Sequence, residues 1–379
     1  GKRIEVEALQ GAAVRRAAAR RYRCSMSLVD PCRCPLCGQA NGCAMAAANP
    51  AAGKSGTDCW CRAVTVPAAL QDRVPAPARG TACLCPDCVR SSGARGAHRT
   101  RDPGGREAIL LRTDRGDEAL VAQDGAQVLH YRCRGRDVLW TASRPEHRPQ
   151  KPVRGGVPLV FPWFGDHPTN RALPAHGFAR ASTWRLRAAS DAPAASFTLD
   201  ADAASLALWP HRFAMRLDVA LDTALRLQWT ITNTDTTTWT AEVALHTYFA
   251  VGEVAEAVVH GLQGVPHTEH AAAPEPAWDQ AAPLRFRAET DRIFQGVPAR
   301  LRLEAGALRR TIELETAGAP SAIVWNPWPA KTARLPQMAA DDWRHFVCIE
   351  SAAVRERALQ LAPGQSHQLE LVIAAREPE

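Results

Sequence analysis

Apolar and polar residues alternate with a period of two through residues 106–379 of this 379-residue chain. The clearest run places apolar side chains at every second position from 213 to 221, and the alternation resumes from 225 to 231. Since successive side chains of a strand point to opposite faces, each run predicts a strand with one buried face. The short break at Asp222-Thr223-Ala224 between the two runs indicates a hairpin.

Further strands are predicted at 127–131, 138–140, 300–303, 311–314 and 368–373, separated by turn sequences. Few segments repeat apolar residues at helical spacing. We therefore predict an all-β fold for residues 106–379, a large antiparallel β-sandwich. Two irregular stretches, 142–153 and 264–283, are expected to be surface loops.

The first quarter of the chain has a different composition. Residues 1–100 hold 15 Lys and Arg against 6 Asp and Glu, and ten of the chain's 12 cysteines lie between Cys24 and Cys88. We divide the chain into a basic Ala/Arg-rich arm at 1–30, a cysteine-rich module at 31–90, a linker at 91–105 and the sandwich at 106–379. The linker is predicted because its Ser, Gly and Pro residues show no apolar periodicity.

Two C-x-x-C turns lie near the ends of the cysteine-rich module. Such a turn lets two thiolates converge on one ion, and Zn²⁺ takes four ligands of this kind. Because the segment is too short to bury much core, a metal would supply folding free energy. The spacing predicts one or two structural zinc sites, with a metal-free thiol cluster as the alternative. The candidate ligands are Cys34, Cys37, Cys43, Cys59, Cys61, Cys83, Cys85 and Cys88.

The sequence also limits where the protein works. No window of eighteen apolar residues occurs, and the arginines near the start precede no apolar signal core, so we expect a cytoplasmic protein that does not span a membrane. The basic module raises the possibility of nucleic-acid binding. Residues 1–100 contain only Tyr22 and Trp60 for base stacking, so we expect no nucleic-acid partner, and we expect a monomer.

Seven polar or aromatic motifs are spread along the predicted strands. Taken singly, each has an ordinary structural explanation: a histidine beside apolar residues is usually a hydrogen-bonded core residue, and Glu350 could pair with Arg355. The motifs are Arg154-Gly155-Gly156-Val157-Pro158, Phe161-Pro162-Trp163-Phe164-Gly165, Leu173-Pro174-Ala175-His176-Gly177-Phe178-Ala179-Arg180, His246-Thr247-Tyr248-Phe249, Thr290-Asp291-Arg292-Ile293-Phe294, Trp325-Asn326-Pro327-Trp328 and Cys348-Ile349-Glu350.

In this order the seven motifs resemble the hexose-6-phosphate mutarotases, a branch of the aldose 1-epimerase family. The resemblance covers residues 106–379 and implies a β-sandwich of the galactose-mutarotase type. The cysteine-rich module resembles a small bacterial family named for its C-W-C motif, here Cys59-Trp60-Cys61. That family has no well-defined activity, so this second resemblance indicates a domain boundary only.

The resemblance to the mutarotases also implies roles for six residues. Glu350 matches the general base that takes the proton from the C1 hydroxyl, and His246 matches the general acid that protonates the ring oxygen. His176 and Asp291 match residues that hold the sugar, and Arg154 and Arg180 match the pair expected at the 6-phosphate. The implied substrate is glucose 6-phosphate or a similar hexose 6-phosphate, and the reaction needs no cofactor. A sensor that binds the sugar phosphate without turnover is the alternative.

Overall fold

The computed structural model describes residues 29–43, 60–64, 66, 68–91, 95–189, 192–272 and 280–376. Its strands are β1 Gly96–Arg101, β2 Glu107–Arg112, β3 Glu118–Ala122, β4 Val128–Cys133, β5 Arg136–Asp137, β6 Leu159–Val160, β7 Arg185–Ala189, β8 Ala194–Asp200, β9 Phe213–Leu221, β10 Leu225–Asn233, β11 Trp239–Ala241, β12 Val243–Leu245, β13 Tyr248–Ala250, β14 Ala257–His260, β15 His267–Glu269, β16 Leu284–Arg285, β17 Thr290–Gln295, β18 Arg300–Ala305, β19 Arg310–Ala317, β20 Ser321–Asn326, β21 Phe346–Ala353, β22 Leu359–Leu361 and β23 Ser366–Arg376. The α-helices are α1 Ala68–Asp72, α2 Pro86–Ser91, α3 Ala203–Leu208 and α4 Trp328–Thr332. Short 3-10 helices lie at Trp60–Ala63, Ala76–Ala78, Ala179–Ala181, Val254–Glu256, Gly306–Leu308, Asp342–Arg344 and Arg355–Arg357.

Antiparallel pairing joins these strands into three main sheets. The largest has the strand order β16-β14-β18-β19-β23-β10-β9-β8-β7, and the second has the order β15-β17-β20-β21-β12-β6 with β13 also paired to β21. The third follows the chain from β1 to β5, and β11 pairs with β22. The predicted all-β class is therefore confirmed.

The predicted hairpin at 213–231 forms the middle of the nine-stranded sheet. β9 and β10 pair with Leu217 opposite Trp229, and every second residue of each strand is buried. These buried faces belong to one apolar core with Val347 and Ile349 of β21. The period-two alternation thus places the core between the nine-stranded and seven-stranded sheets.

The seven-stranded sheet also has a second, outer face, on which the polar motifs lie. Side chains alternate along β21, so Glu350 shares the face of Cys348 and Phe346 while Val347 and Ile349 enter the core. In the pairing register, Glu350 lies opposite Ile323 and Cys348 lies opposite Tyr248. The alternation of side chains along β21 therefore places Glu350 beside a smaller apolar cluster on the outer face.

Three sequence predictions differ from the structure. The stretch predicted as a linker contains β1, which pairs along its length with β2; its sequence GAHRTR is almost wholly polar and gave no apolar alternation. Residues 138–140 form an isolated bridge from Leu139 to Phe249 rather than a strand. The second predicted loop contains β15, and its residues 273–279 lie outside the described part of the chain.

The described part of the cysteine-rich module has its own small core around Leu36, Leu70 and Leu84. The side-chain amide of Asn41 is fully buried and donates to the carbonyls of Pro31 and Cys83, joining two distant segments. Trp60 Nε1 donates to the Asn41 carbonyl at 3.0 Å. No helix among the described residues is long and apolar enough to cross a membrane.

Candidate functional site

His246 and Glu350 lie side by side on the outer face of the seven-stranded sheet. His246 follows β12 and Glu350 lies within β21, and their side chains are 8% and 1% exposed. Nδ1 of His246 is 3.4 Å from Oε1 of Glu350. Within the described residues, neither His246 Nδ1 nor Glu350 Oε2 has a hydrogen-bond partner. Buried polar atoms normally have partners, so this pair is prepared to meet the polar groups of a ligand.

Aromatic side chains hold the His246 ring in place. The ring of Tyr248 stacks on it with centroids 4.8 Å apart and planes within 4°, and Trp325 meets it edge-on at 6.1 Å. On the opposite side of the sheet, Phe249 is fully buried in the core. The alternation at 248 and 249 therefore gives one aromatic to the site and one to the core.

A tight turn brings a second histidine to His246. His176 and Gly177 both have positive φ, +63° and +69°, and a Cβ at Gly177 would lie 1.9 Å from the Phe161 carbonyl oxygen. The turn is closed by the His176 backbone N–H, which donates to the Gly165 carbonyl at 2.7 Å. The imidazole rings of His176 and His246 are 5.5 Å apart. Only glycine fits at 177, and its presence allows the turn that presents His176.

Two arginines line a cavity of about 180 Å³ beside the aromatic ring that stacks on His246. Arg154 and Arg180 share the cavity with Tyr248, the residue stacked on His246. Arg154 Nε donates to the Pro336 carbonyl at 3.1 Å, and Arg180 Nη2 donates to the Ala175 carbonyl at 2.6 Å. Both guanidiniums keep further donors, so together they can bind an anion with charge-assisted hydrogen bonds.

Asp291 of β17 reaches the site together with a lysine that the sequence analysis did not single out. Lys331 Nζ of α4 is 3.3 Å from Asp291 Oδ2 and 3.0 Å from Glu289 Oε1, and it lies 5.9 Å from the centre of the Trp325 ring. Lys331 was missed because it lies three residues beyond the Trp325–Trp328 motif, where one exposed-looking lysine carries no signal.

A second missed contact fixes the turn that presents His176. Glu242 accepts hydrogen bonds from the Phe164 backbone N–H at 2.8 Å and from Arg355 Nη1 at 2.8 Å. The Arg355 guanidinium lies over the Phe164 ring, which in turn meets His176 edge-on at 4.9 Å. Arg355 thus pairs with Glu242 rather than with Glu350.

Burial and neighbouring charges shift the pKa values of the site. Burial raises the pKa of Glu350 well above its usual range, the charge of Asp291 adds to that rise, and Arg180 opposes it. Burial lowers the pKa of His246 well below its usual range, and His176, Arg180 and Arg154 lower it further. Burial also lowers the pKa of His176 to about 3 and that of Arg180 to about 10, so Arg180 stays charged at neutral pH.

The paired glycines at 155 and 156 pack against protein backbone. A Cβ at Gly156, where φ is +61°, would lie 2.0 Å from the Val128 carbonyl oxygen. A Cβ at Gly155 would lie 2.4 Å from the Cα of Thr141. These glycines therefore let the chain pass close to β4 and carry Arg154 to the cavity.

Four of the eight candidate metal ligands come together in the cysteine-rich module. The Sγ atoms of Cys34, Cys37, Cys85 and Cys88 all lie within 4.8 Å of one another, with 3.7 Å from Cys34 to Cys88 and 3.5 Å from Cys37 to Cys85. Four sulfurs held tetrahedrally at about 2.3 Å from an ion lie about 3.8 Å apart, so the cluster could bind a metal ion.

Three of the other four candidate ligands fall in a second group. Cys43 and Cys83 have their Sγ atoms 3.3 Å apart, and Cys61 packs against Cys43 together with Cys32. Cys59 lies outside the described residues. The structure therefore divides a set of cysteines whose grouping the spacing alone left open.

The sheet of this sandwich carries an imidazole–carboxylate pair beside two arginines, which is the arrangement of an acid–base site next to an anion site. Comparison with known proteins identifies the family. The aldose 1-epimerase family matches residues 107–374, and the cysteine-rich CWC family matches residues 34–90. The chain therefore belongs to the aldose 1-epimerase family, and it is an isomerase of the epimerase type.

Individual relatives agree with this assignment. A protein of Cenchrus ciliaris named "Putative glucose-6-phosphate 1-epimerase" is 30% identical over 294 residues, which cover 74% of this chain and 88% of that protein. A protein of the same name from Escherichia coli is 30% identical over 243 residues, 63% of this chain and 81% of that protein. The crystal structure of a Salmonella typhimurium protein described as a "putative mutarotase" has a TM-score of 0.66 at 26% identity, covering 74% of this chain and 94% of that one. The predicted galactose-mutarotase type of fold is confirmed.

Proposed function

We propose that this protein interconverts the α and β anomers of a hexose 6-phosphate, with glucose 6-phosphate as the first candidate. One observation carries the proposal: Arg154 and Arg180 line a cavity with Tyr248, and Tyr248 stacks on the His246 ring that faces Glu350. A phosphate bound by the two arginines would leave the sugar ring to reach the buried pair. The names of the relatives support the same substrate class.

The proposed reaction opens and recloses a hemiacetal. Glu350 takes the proton from the C1 hydroxyl while His246 gives a proton to the ring oxygen, and the C1–O5 bond breaks to form the open-chain aldehyde. After rotation about C1–C2, O5 attacks the other face of the aldehyde and the two proton transfers run in reverse. Positioned acid–base groups of this kind contribute about 10²–10⁴-fold each. His176 and Asp291 are proposed to hold the sugar hydroxyls.

The pKa shifts indicate how a phosphorylated substrate would change the protonation of this site. In the free protein, Arg154 and Arg180 help to keep His246 uncharged. A phosphate dianion between the arginines would offset their charge, and the pKa of His246 would rise towards the range that a general acid needs. The same dianion would offset the Arg180 charge that lowers the pKa of Glu350, so substrate binding would help the His246–Glu350 pair to keep the one proton that the reaction moves.

The cluster of Cys34, Cys37, Cys85 and Cys88 is proposed to hold a structural zinc ion. All four donors are thiols, which as thiolates are the ligands that Zn²⁺ takes in closed structural sites, and the sulfur spacing fits a tetrahedral ion. Bound there, the ion would join two segments with 47 residues lying between Cys37 and Cys85. Zinc has no part in the proposed sugar chemistry.

We also propose that the protein works as a monomer in the cytoplasm without a nucleic-acid partner. A reducing compartment keeps clustered thiols available for metal. Size measurement in solution and a mobility assay with RNA and DNA at low salt test these points.

Two-dimensional exchange NMR on the full chain tests the proposed function. The rate of anomer exchange is measured for glucose 6-phosphate and for glucose, with the protein-free rates subtracted. The proposal predicts faster exchange for the phosphate than for glucose. Equal acceleration would remove the phosphate assignment, and tight binding of the phosphate with no acceleration would favour the non-catalytic sensor.

A further inference from the structure

The cysteine-rich module and the sandwich meet on β1. Thr100 of β1 is buried, and its Oγ1 accepts a hydrogen bond from Arg73 Nη2 at 3.0 Å. The same hydroxyl donates to the Leu36 carbonyl at 3.4 Å. Leu36 lies between Cys34 and Cys37 of the thiol cluster. Two hydrogen bonds therefore connect Arg73, through Thr100 of the sandwich, to the turn that carries Cys34 and Cys37.

A small cavity shows which groups surround this chain. Leu36, Leu70, Arg73 and Cys88 line it from the module, and Thr100 and Leu110 are among the residues that line it from the sheet. Thr100 and Leu110 are residues of paired strands, and the opposite face of β2 enters the main core through Ile109 and Leu111. The module thus packs on the outer face of the five-stranded sheet, at its β1 edge.

Close packing of the C-terminal side of the turn confirms that contact. Gly38, which follows Cys37 and has φ +72°, would place a Cβ 2.9 Å from Arg101 Nη2 of β1. Arg101 is itself held by Glu107 at 2.7 Å. The turn carrying Cys34 and Cys37 therefore lies directly against the strand.

Arg73 is a cation that lies beside the thiol cluster. A Zn²⁺ ion with four thiolates carries a net charge of about −2, and buried net charge is costly unless a counter-charge lies nearby. Arg73 shares the small cavity with Cys88, and it donates to Thr100, whose hydroxyl contacts the Leu36 carbonyl between Cys34 and Cys37. Partners outside the ligand set commonly tune a metal site in this way.

We propose that Arg73 is the counter-cation of the tetrathiolate site and that, through Thr100, it couples metal binding to the docking of the module on β1. This inference rests on the proposed zinc site. Metal would then order the edge of the five-stranded sheet as well as the module. The fusion of the two domains acquires a physical role: the loaded module covers the outer face of β1.

The test uses the full chain and two readouts that do not involve sugar chemistry. Zinc affinity is measured by competition with a chromophoric chelator, and protection of β1 peptides is measured by hydrogen exchange with and without metal. Arg73→Met is expected to weaken zinc binding about 10–100-fold, as loss of a supporting contact around a metal site does. Arg73→Lys, which keeps the charge, is expected to retain most of the affinity. Chelation is expected to lower the protection of β1.

Arg79→Met is the matched control, because the Arg79 side chain donates to the carbonyls of Val74 and Asp72 within the same module. Absence of zinc from the wild-type protein would overturn the zinc site and this inference together. Zinc bound with equal affinity in wild type and Arg73→Met, with β1 protection insensitive to chelation, would overturn the inference and leave the zinc site standing.

Discussion

Replacing Arg180 by methionine separates phosphate recognition from sugar chemistry. Arg180 lines the cavity beside Tyr248 and stays charged at neutral pH, although burial lowers its pKa to about 10. Methionine keeps the apolar stem but removes the charge. A hydrogen bond to a charged group contributes about 1.5–3 kcal/mol, which corresponds to about 10–150-fold in kcat/KM. We expect a loss of that size for glucose 6-phosphate and a change of less than about threefold for glucose.

The assay is the rate of anomer exchange for both sugars with wild type, Arg180→Met and Arg226→Met. Arg226 is a suitable control because it lies on β10 of the other large sheet, paired with Glu370 at 2.7 Å. Arg180 also donates to the Ala175 carbonyl, next to His176, so its loss could disturb the turn. An equal loss of exchange rate for glucose and glucose 6-phosphate would show that the substitution disturbs the turn. It would refute the role of Arg180 in binding the phosphate group. An unchanged rate of anomer exchange for glucose 6-phosphate in Arg180→Met would show that Arg180 does not bind the phosphate group.

Three further results are expected. Lys331→Met removes the cation that opposes the burial-driven rise in the pKa of Asp291, so that pKa should rise further. Because Asp291 is proposed to hold the sugar as a carboxylate, the acidic limb of the kcat/KM profile should move to higher pH, and Lys331→Arg should restore it. Saturating sulfate should raise the pKa of His246 followed by NMR of labelled histidine, and an unchanged titration would contradict the electrostatic account. Gly156→Ala should lower the free energy of unfolding by about 2–3 kcal/mol. Gly135→Ala is the control, because Gly135 also has a positive φ but has open space around its Cβ position, and its loss should be smaller. Equal losses for the two variants would show that the contact with β4 is unimportant.

The sequence predicts the nine-stranded sheet well because its central strands β9 and β10 each bury one face. The alternation at 213–231 depends only on which residues enter the core, and the structure has β9 and β10 there with that register. β1 was missed because it does not show this alternation of apolar and polar residues. Its outer face is covered by the cysteine-rich module through polar groups such as Thr100, and contacts of that kind leave no apolar pattern.

Motif order predicted which residues meet, but spacing did not predict their supporting contacts. His246 and Glu350 are about a hundred residues apart and become neighbours because β12 and β21 pair in the sheet. Lys331 and Glu242 act through contacts with residues far along the chain, which a linear pattern cannot show. The division of the cysteines into two groups likewise depends on how Asn41 joins distant segments.

Glu350→Gln tests the central claim most directly. Glutamine keeps the size and polarity of the side chain but cannot accept the C1 hydroxyl proton. Exchange of glucose 6-phosphate anomers is measured by two-dimensional NMR, with thermal unfolding and phosphate-ester binding followed on the same sample. The account predicts that exchange falls by at least about 10²-fold while folding and binding persist. Exchange at the wild-type rate in a folded Glu350→Gln protein would contradict it.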